Sequence, residues 1–412
     1  MPLLLVRVYV RSRHAPAHAQ RWRERLGFYR HAASASRPVW VHAVSVGEVM
    51  AAVPLVRALQ EQCAGLEILM TTTTLTGADT VTRTLGNTVQ HAYFPYDLPA
   101  VLARFLTYFQ PRMLVVMETE LWPNTFSACR RRAVPIMLAN ARLSSRSMGA
   151  YRRLSTLSRD VVRRIDHIAA QTHEDAERYI ALGAETQRVT VFGSLKFDLE
   201  LPASVHEQAA AVRREIGINR PVLMAASTRE GEEELVLDAF VEIQNQLPHC
   251  LLLLVPRHPQ RFEQVAQLCA RRGWRYRRRS QSSVCGADDQ IYLLDSMGEL
   301  ARHYAAADVA FVGGSLLPFG GHNVLEPAAL ARPVLVGPYT FNFAEVVRLL
   351  REAGGLVVVD DARQLASAAL VWLRDSNERD RVGGLACDLV LRHRGATART
   401  AAAISELLAA RG

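Results

Sequence analysis

Carboxylates placed just past short apolar runs carry the first chemical signal in this 412-residue chain. Ser45-Val46-Gly47-Glu48 follows the run VWVHAV, and a glutamate there either answers the positive end of a helix or, facing a ligand, takes a proton as a general base. The run MLVVM leads into Glu118-Thr119-Glu120-Leu121-Trp122-Pro123. On an extended segment that spacing sends both carboxylates to one side, so one stays ionised while the other's pKa rises. Asn140-Ala141-Arg142-Leu143-Ser144-Ser145-Arg146-Ser147, after a further run, adds Arg142 and Arg146 to the same edge. Lys196 is the sole lysine among 49 basic residues, and at a specific site a guanidinium does not stand in for an ammonium.

The second half holds a different device. Gly313-Gly314-Ser315 closes an apolar run, and Gly320-Gly321-His322-Asn323 precedes a helix whose first turn holds Glu326. Glycines let backbone amides approach a phosphate, a helix N-terminus supplies positive potential, and an acid one turn in accepts from ribose hydroxyls. The spacing is not GxGxxG, which argues against a nicotinamide cofactor. Pro256-Arg257-His258-Pro259 offers a guanidinium suited to carboxylate or phosphate, and Ser227-Thr228 offers donors or a cap for a helix starting near Glu230. No DxD motif is present and Asp360-Asp361 reads as a solvated turn, so no metal and no cofactor is expected.

The elements that must position these groups alternate. Apolar runs near 39, 68, 90, 113, 136, 167 and 189, separated by helical patterns, predict parallel βαβ units, and a second series begins with PVLMAAST and continues through CLLLLVPRH, IYLLD, VAFVGG and PVLVGP. Residues 199–220 are polar and proline-bearing and mark a junction. The expected fold class is α/β: two Rossmann-like, doubly wound domains facing a central cleft, over residues 38–200 and 218–412, with room for the last helices to cross back. In such sheets ligands bind beyond the carboxyl ends of the strands, which is where the residues above fall.

A net charge of +9 implies an anionic partner. Aliphatic strands without interleaved aromatics argue against nucleic acid. Six scattered cysteines without a CxxC pair suit a reducing compartment. Residues 1–37 form a basic, partly apolar segment: Met1 to Val10 is apolar but broken by Arg7 and is about half the length of a bilayer span. Arg11, Arg13, Arg21, Arg23, Arg25 and Arg30 lie around Trp22, Phe28 and Tyr29, a mixture expected to sit on an anionic leaflet with the rings at headgroup level.

SVGE at 45–48, FPYDLP at 94–99, ETELWPN at 118–124, NARLS at 140–144, GSLKFD at 193–198, VPRHP at 255–259, GGS at 313–315 and GGHNxLE at 320–326 together resemble the 3-deoxy-D-manno-octulosonic acid (Kdo) transferases of Gram-negative lipopolysaccharide synthesis. The resemblance implies a GT-B glycosyltransferase that moves Kdo from CMP-Kdo to a lipid A precursor, lipid IVA, at the cytoplasmic face of the inner membrane, inverting the anomeric centre. It implies Glu48 as the base, Glu118 or Glu120 as a second essential carboxylate, and Lys196 as an ammonium neutralising the sugar acid or the departing phosphate. Arg142 and Arg146 would meet the acceptor. Arg257, His258, Gly314, Ser315 and Asn323 would hold the cytidylate, with Glu326 at the ribose. Another GT-B enzyme using a UDP-sugar is the alternative, though such an enzyme is not expected to carry SVGE and ETELWP.

Overall fold

Runs of Val, Ile, Leu and Met with no polar alternation must be covered on both faces, and each such run becomes a strand with helices on either side. The computed structural model describes residues 21–29 and 37–410, save 154 and 283. The chain divides into two compact units, one of residues 1–198 with 393–412, the other of 199–392.

In the first unit seven strands, β1 (Val39–His42), β2 (Ile68–Thr72), β3 (Gln90–Tyr93), β4 (Met113–Met117), β5 (Ile136–Ala141), β6 (His167–Ala170) and β7 (Val189–Val191), form one sheet in the order β3-β2-β1-β4-β5-β6-β7. Every pairing is parallel, with Val39 opposite Ile68 on one side and Met113 on the other. One face is sealed by the helix Val46–Gln62 and the final helix Ala396–Ala409, through Val49, Leu55, Leu59, Ile404 and Leu408. The other is sealed by an aromatic group of Trp40, Phe94, Phe105 and Phe126. The strand order reverses between β1 and β4, the switch point at which an open α/β sheet binds ligands.

The second unit repeats the plan with β8 (Val222–Thr228), β9 (Leu251–Pro256), β10 (Tyr276–Arg278), β11 (Ile291–Leu293), β12 (Val309–Val312), β13 (Val334–Val336) and β14 (Leu356–Val358), all parallel, ordered β10-β11-β9-β8-β12-β13-β14. Its switch point lies between β8 and β12. The two edge strands β10 and β14 are absent from the sequence reading. Each is three residues long and only partly buried, so neither has the apolar run that marks a strand covered on both faces.

The boundaries differ from those expected at 38–200 and 218–412. The helix Val205–Ile216 lies inside the second unit, because Val205, Ala209, Val212 and Ile216 pack with Met224 and Tyr304. Residues 393–412 group with the first unit, a crossing back that the expected boundaries left open. Asp198 makes that return specific: its carboxylate accepts from the amides of Gly395 and Thr397, both at 2.5 Å, capping the final helix, while Phe197 stacks on His393. Asp198→Ala is expected to cost about 1–2 kcal/mol, the worth of a side-chain cap. The thermal unfolding midpoint should fall by a few degrees; an unchanged midpoint would show the cap to be redundant.

Residues 1–20 and 30–36, and with them the apolar tip, Arg7, Arg11, Arg13 and Arg30, lie outside the described residues. Trp22 and Phe28 are exposed, with the Arg23 guanidinium near Trp22 and that of Arg104 over Phe28. Tyr29 departs from the expected interfacial ring: it packs against Phe105, Tyr108 and Phe109, because the sheet face beside it is already aromatic. Arg21 and Arg25 are likewise engaged with the fold, on Glu24 and the His91 carbonyl and on the Thr73 carbonyl. Among the described residues no helix is long and apolar enough to cross a membrane.

Candidate active site

The chain leaves β1 at Ala43-Val44 and enters the helix Val46–Gln62 through Ser45, its N-cap. Glu48 stands in the first turn. Its Oε2 accepts from the Val44 amide at 2.7 Å and its Oε1 faces the Ser45 hydroxyl at 3.4 Å. A helix terminus and an amide donor both favour the carboxylate form. Burial opposes them and wins, helped by the charges of Glu118 and Glu120, so the Glu48 pKa is pushed up to about 7. A carboxyl poised there can take up or release a proton near neutral pH, the range in which general acid–base transfer is most effective.

Glu118 and Glu120 follow β4, the strand beside β1. The extended geometry assumed for them is not found. The backbone turns at Glu118 with φ +59°, pinned by its amide on the Ala139 carbonyl and by the Thr119 hydroxyl on the Arg142 carbonyl. The two side chains therefore do not share a strand face. Their roles separate instead: Glu118 Oε1 lies 3.7 Å from Lys196 Nζ, whereas Glu120 is half-buried, with its pKa raised by burial and then by Glu118.

Lys196 sits on the turn Leu195–Phe197, whose first amide donates to Asn140 Oδ1 at 3.0 Å, with the Asp198 cap following directly. Asn140 is buried with φ +53°, a conformation that asparagine adopts more readily than most residues. It holds the lysine turn against the end of β5. Nothing local in NARLS signals this role for Asn140, because its bond to the Leu195 amide spans 55 residues of chain. Arg142 is half-buried and Arg146 exposed, both just beyond β5.

At the switch point of the second unit Arg229 follows β8, and Arg257 and His258 follow β9. Arg229 Nη1 lies 2.7 Å from His258 Nε2, and its guanidinium covers the Phe319 ring. Arg257 is exposed, its amide tied to the Thr228 carbonyl. Neither Arg229 nor Arg257 forms an ion pair with a carboxylate among the described residues, whereas Arg261 pairs with Glu233 at 2.8 Å. His322 packs on Gly314, where a Cβ would meet its Cδ2 at 2.8 Å and where φ is +69°. Burial, then Arg257 and Arg229, lower the His322 pKa to about 4; burial and the neighbouring arginines also lower that of His258. Both imidazoles are thus neutral at pH 7, and the positive charge of the cluster rests on the guanidiniums. His322 Nε2 is buried without a hydrogen-bond partner among the described residues.

Several expectations about the glycine device are corrected. The amides of Gly314 and Ser315 are not free for phosphate, because both donate to the buried carboxylate of Glu232, at 2.5 and 2.8 Å. The Ser315 side chain is fully buried, donating to the Val312 carbonyl and accepting from the Gly337 amide. The helix after the second glycine pair is a single turn, Leu325–Ala329, too short to concentrate a dipole. Asn323 serves that turn: its Oδ1 accepts from the Leu325 amide and its Nδ2 donates to Glu326, fixing the carboxylate rather than reaching outward. Burial raises the Glu326 pKa despite that donor and Arg257. The helix expected near Glu230 begins at Glu232, and Thr228 bonds Glu233 instead of capping it.

Two seven-stranded parallel sheets, each flanked by helices and each with its own switch point, are the architecture of the GT-B fold. A solved UDP-GlcNAc 2-epimerase from Neisseria meningitidis, bound to UDP-GlcNAc, shares the fold with a TM-score of 0.56 at 14% identity, covering 87% of this chain and 99% of its own. The family model described as 3-deoxy-D-manno-octulosonic-acid transferase matches residues 20–199. The 3-deoxy-D-manno-octulosonic acid transferase of Haemophilus influenzae is 40% identical across 97% of this chain and 94% of its own, and that of Bordetella pertussis 41% across 90% and 87%. The chain belongs to the Kdo transferase family. It is a glycosyltransferase of lipopolysaccharide synthesis.

Proposed function

We propose that this protein transfers Kdo from CMP-Kdo to a phosphorylated, acylated disaccharide of the lipid IVA type, with inversion and without a metal ion. The single observation that carries the mechanism is Glu48, half-buried beside two further carboxylates at the switch point of the first sheet, with a pKa near 7. As the acceptor hydroxyl attacks the anomeric carbon of Kdo, its proton passes to Glu48. The new bond is acceptor oxygen to anomeric carbon; the bond that breaks joins that carbon to the phosphate oxygen of CMP, which leaves with the electron pair. Attack opposite the leaving group inverts the centre.

Kdo is itself a carboxylic acid and CMP leaves as an anion, so cations are needed on the donor side. Lys196 supports the first need and the Arg229–Arg257 pair the second. Glu326, oriented by Asn323, suits the ribose hydroxyls. Arg142 and Arg146 suit the acceptor's phosphates. Exposed Trp22 and Phe28 among arginines support contact with an anionic inner-membrane surface at its cytoplasmic face.

The test is purified protein, CMP-Kdo and a tetra-acylated lipid A precursor, with product mass as the readout. A mass increase corresponding to Kdo, persisting in excess EDTA, is the expected result; loss of product in EDTA restored by magnesium would overturn metal independence, and no product from this pair would overturn the substrate reading. Anomeric configuration read by NMR tests inversion.

A further inference from the structure

Glu232 is a heavily committed carboxylate of the second unit. It is fully buried, yet forms no ion pair among the described residues and instead accepts four backbone N–H bonds. Oε1 takes Ser315 and Leu316, each at 2.8 Å; Oε2 takes Gly314 at 2.5 Å and Arg229 at 2.9 Å. Successive amides pointing at one spot form a nest that binds anions. Here the anion is internal.

We infer that Glu232 is the positioning residue of the nucleotide site: it fills the amide nest of the loop after β12 in place of a phosphate and ties that loop to the backbone of Arg229. The inference rests on the donor reading above. Its consequence is geometric. The same loop carries Gly314, against which His322 packs, and Arg229 in turn faces His258, so one carboxylate fixes the relative placement of the groups that would meet the nucleotide. Glu233, next in sequence, bonds the Thr228 hydroxyl and Arg261 and holds the other side of the same turn. With the loop already clasped, nucleotide binding need not order it, and affinity that would be spent on ordering is retained.

Glu232→Gln is nearly isosteric, but its amide nitrogen must face N–H donors on one side, so two of the four bonds are lost in either orientation. The expected result is about tenfold weaker CMP binding by calorimetry, because the loop and the Arg229 backbone are no longer held in place before the nucleotide arrives, and a matching rise in donor KM with acceptor KM unchanged. Glu232→Asp keeps the charge at shorter reach and should fall between Gln and wild type. Wild-type CMP affinity in both variants overturns the positioning role, as does unfolding of both, which would make the clasp purely structural. If wild-type protein itself fails to bind CMP, the cytidylate reading falls, and this inference with it.

Discussion

Glu48→Gln is expected to lower kcat by about a hundred- to ten-thousandfold, the range for loss of a general base. Glutamine keeps an oxygen to accept from the Val44 amide at the site where Oε2 does so now, so the helix entrance should survive while the proton acceptor is lost. The pH dependence is an independent readout. The base must be ionised to act, and burial has raised its pKa from the usual carboxylate range to about 7. In wild type kcat/KM should therefore climb with pH along a limb centred near 7. A raised carboxyl pKa also means that the folded chain disfavours the charge, so the Glu48 contribution to stability is lost as pH rises from the unfolded value toward 7. Above pH 7 the glutamine variant should melt no lower than wild type, which separates a catalytic defect from misfolding. Lys196→Ala removes the ammonium 3.7 Å from Glu118 and leaves that charge acting on Glu48 less compensated, so the limb should move to higher pH. A flat profile, or full turnover in the glutamine variant, would remove Glu48 from the mechanism.

Arg257→Ala is expected to raise the donor KM by about tenfold or more, since one charge-assisted contact to a phosphate is worth about 1.5–3 kcal/mol. Acceptor KM should hold. The Arg257 guanidinium is exposed and has no carboxylate partner among the described residues, so its loss should leave the melting temperature alone. Its charge is one cause of the depressed His322 pKa, which should move upward in the variant when followed by NMR, with no turnover needed. Arg257→Lys should recover part of the affinity, because an ammonium supplies the charge but not the planar fork. Equal donor KM in wild type and alanine variant would move the phosphate elsewhere.

Particular residues show where sequence reading stops. Strands β1, β4, β8 and β12 were legible because each is buried on both faces and must be written as an unbroken apolar run. The positions just after them were legible as candidate sites for the same reason, since the strand ends locate the switch points. The Glu118–Glu120 spacing misled because a period-two rule presumes extended backbone, and the chain turns at Glu118. The glycine loop misled in another way. Gly313-Gly314-Ser315 has the composition of a phosphate cradle, but composition cannot say whether the amides are already taken, and Glu232, some 80 residues earlier, takes them.

The sequence by itself determined the two series of parallel βα units, the family, and the carboxylate at the first switch point, because these depend on local periodicity and on short contiguous motifs. Only the tertiary structure decided the pairing of Glu118 with Lys196, the service of Asn140 to the lysine turn, the return of the last helix onto Asp198, and the occupation of the amide nest by Glu232. Each of those depends on hydrogen bonds or charges meeting across long stretches of chain, and the strength of such a contact is set by distance and burial, which exist only once the chain has folded.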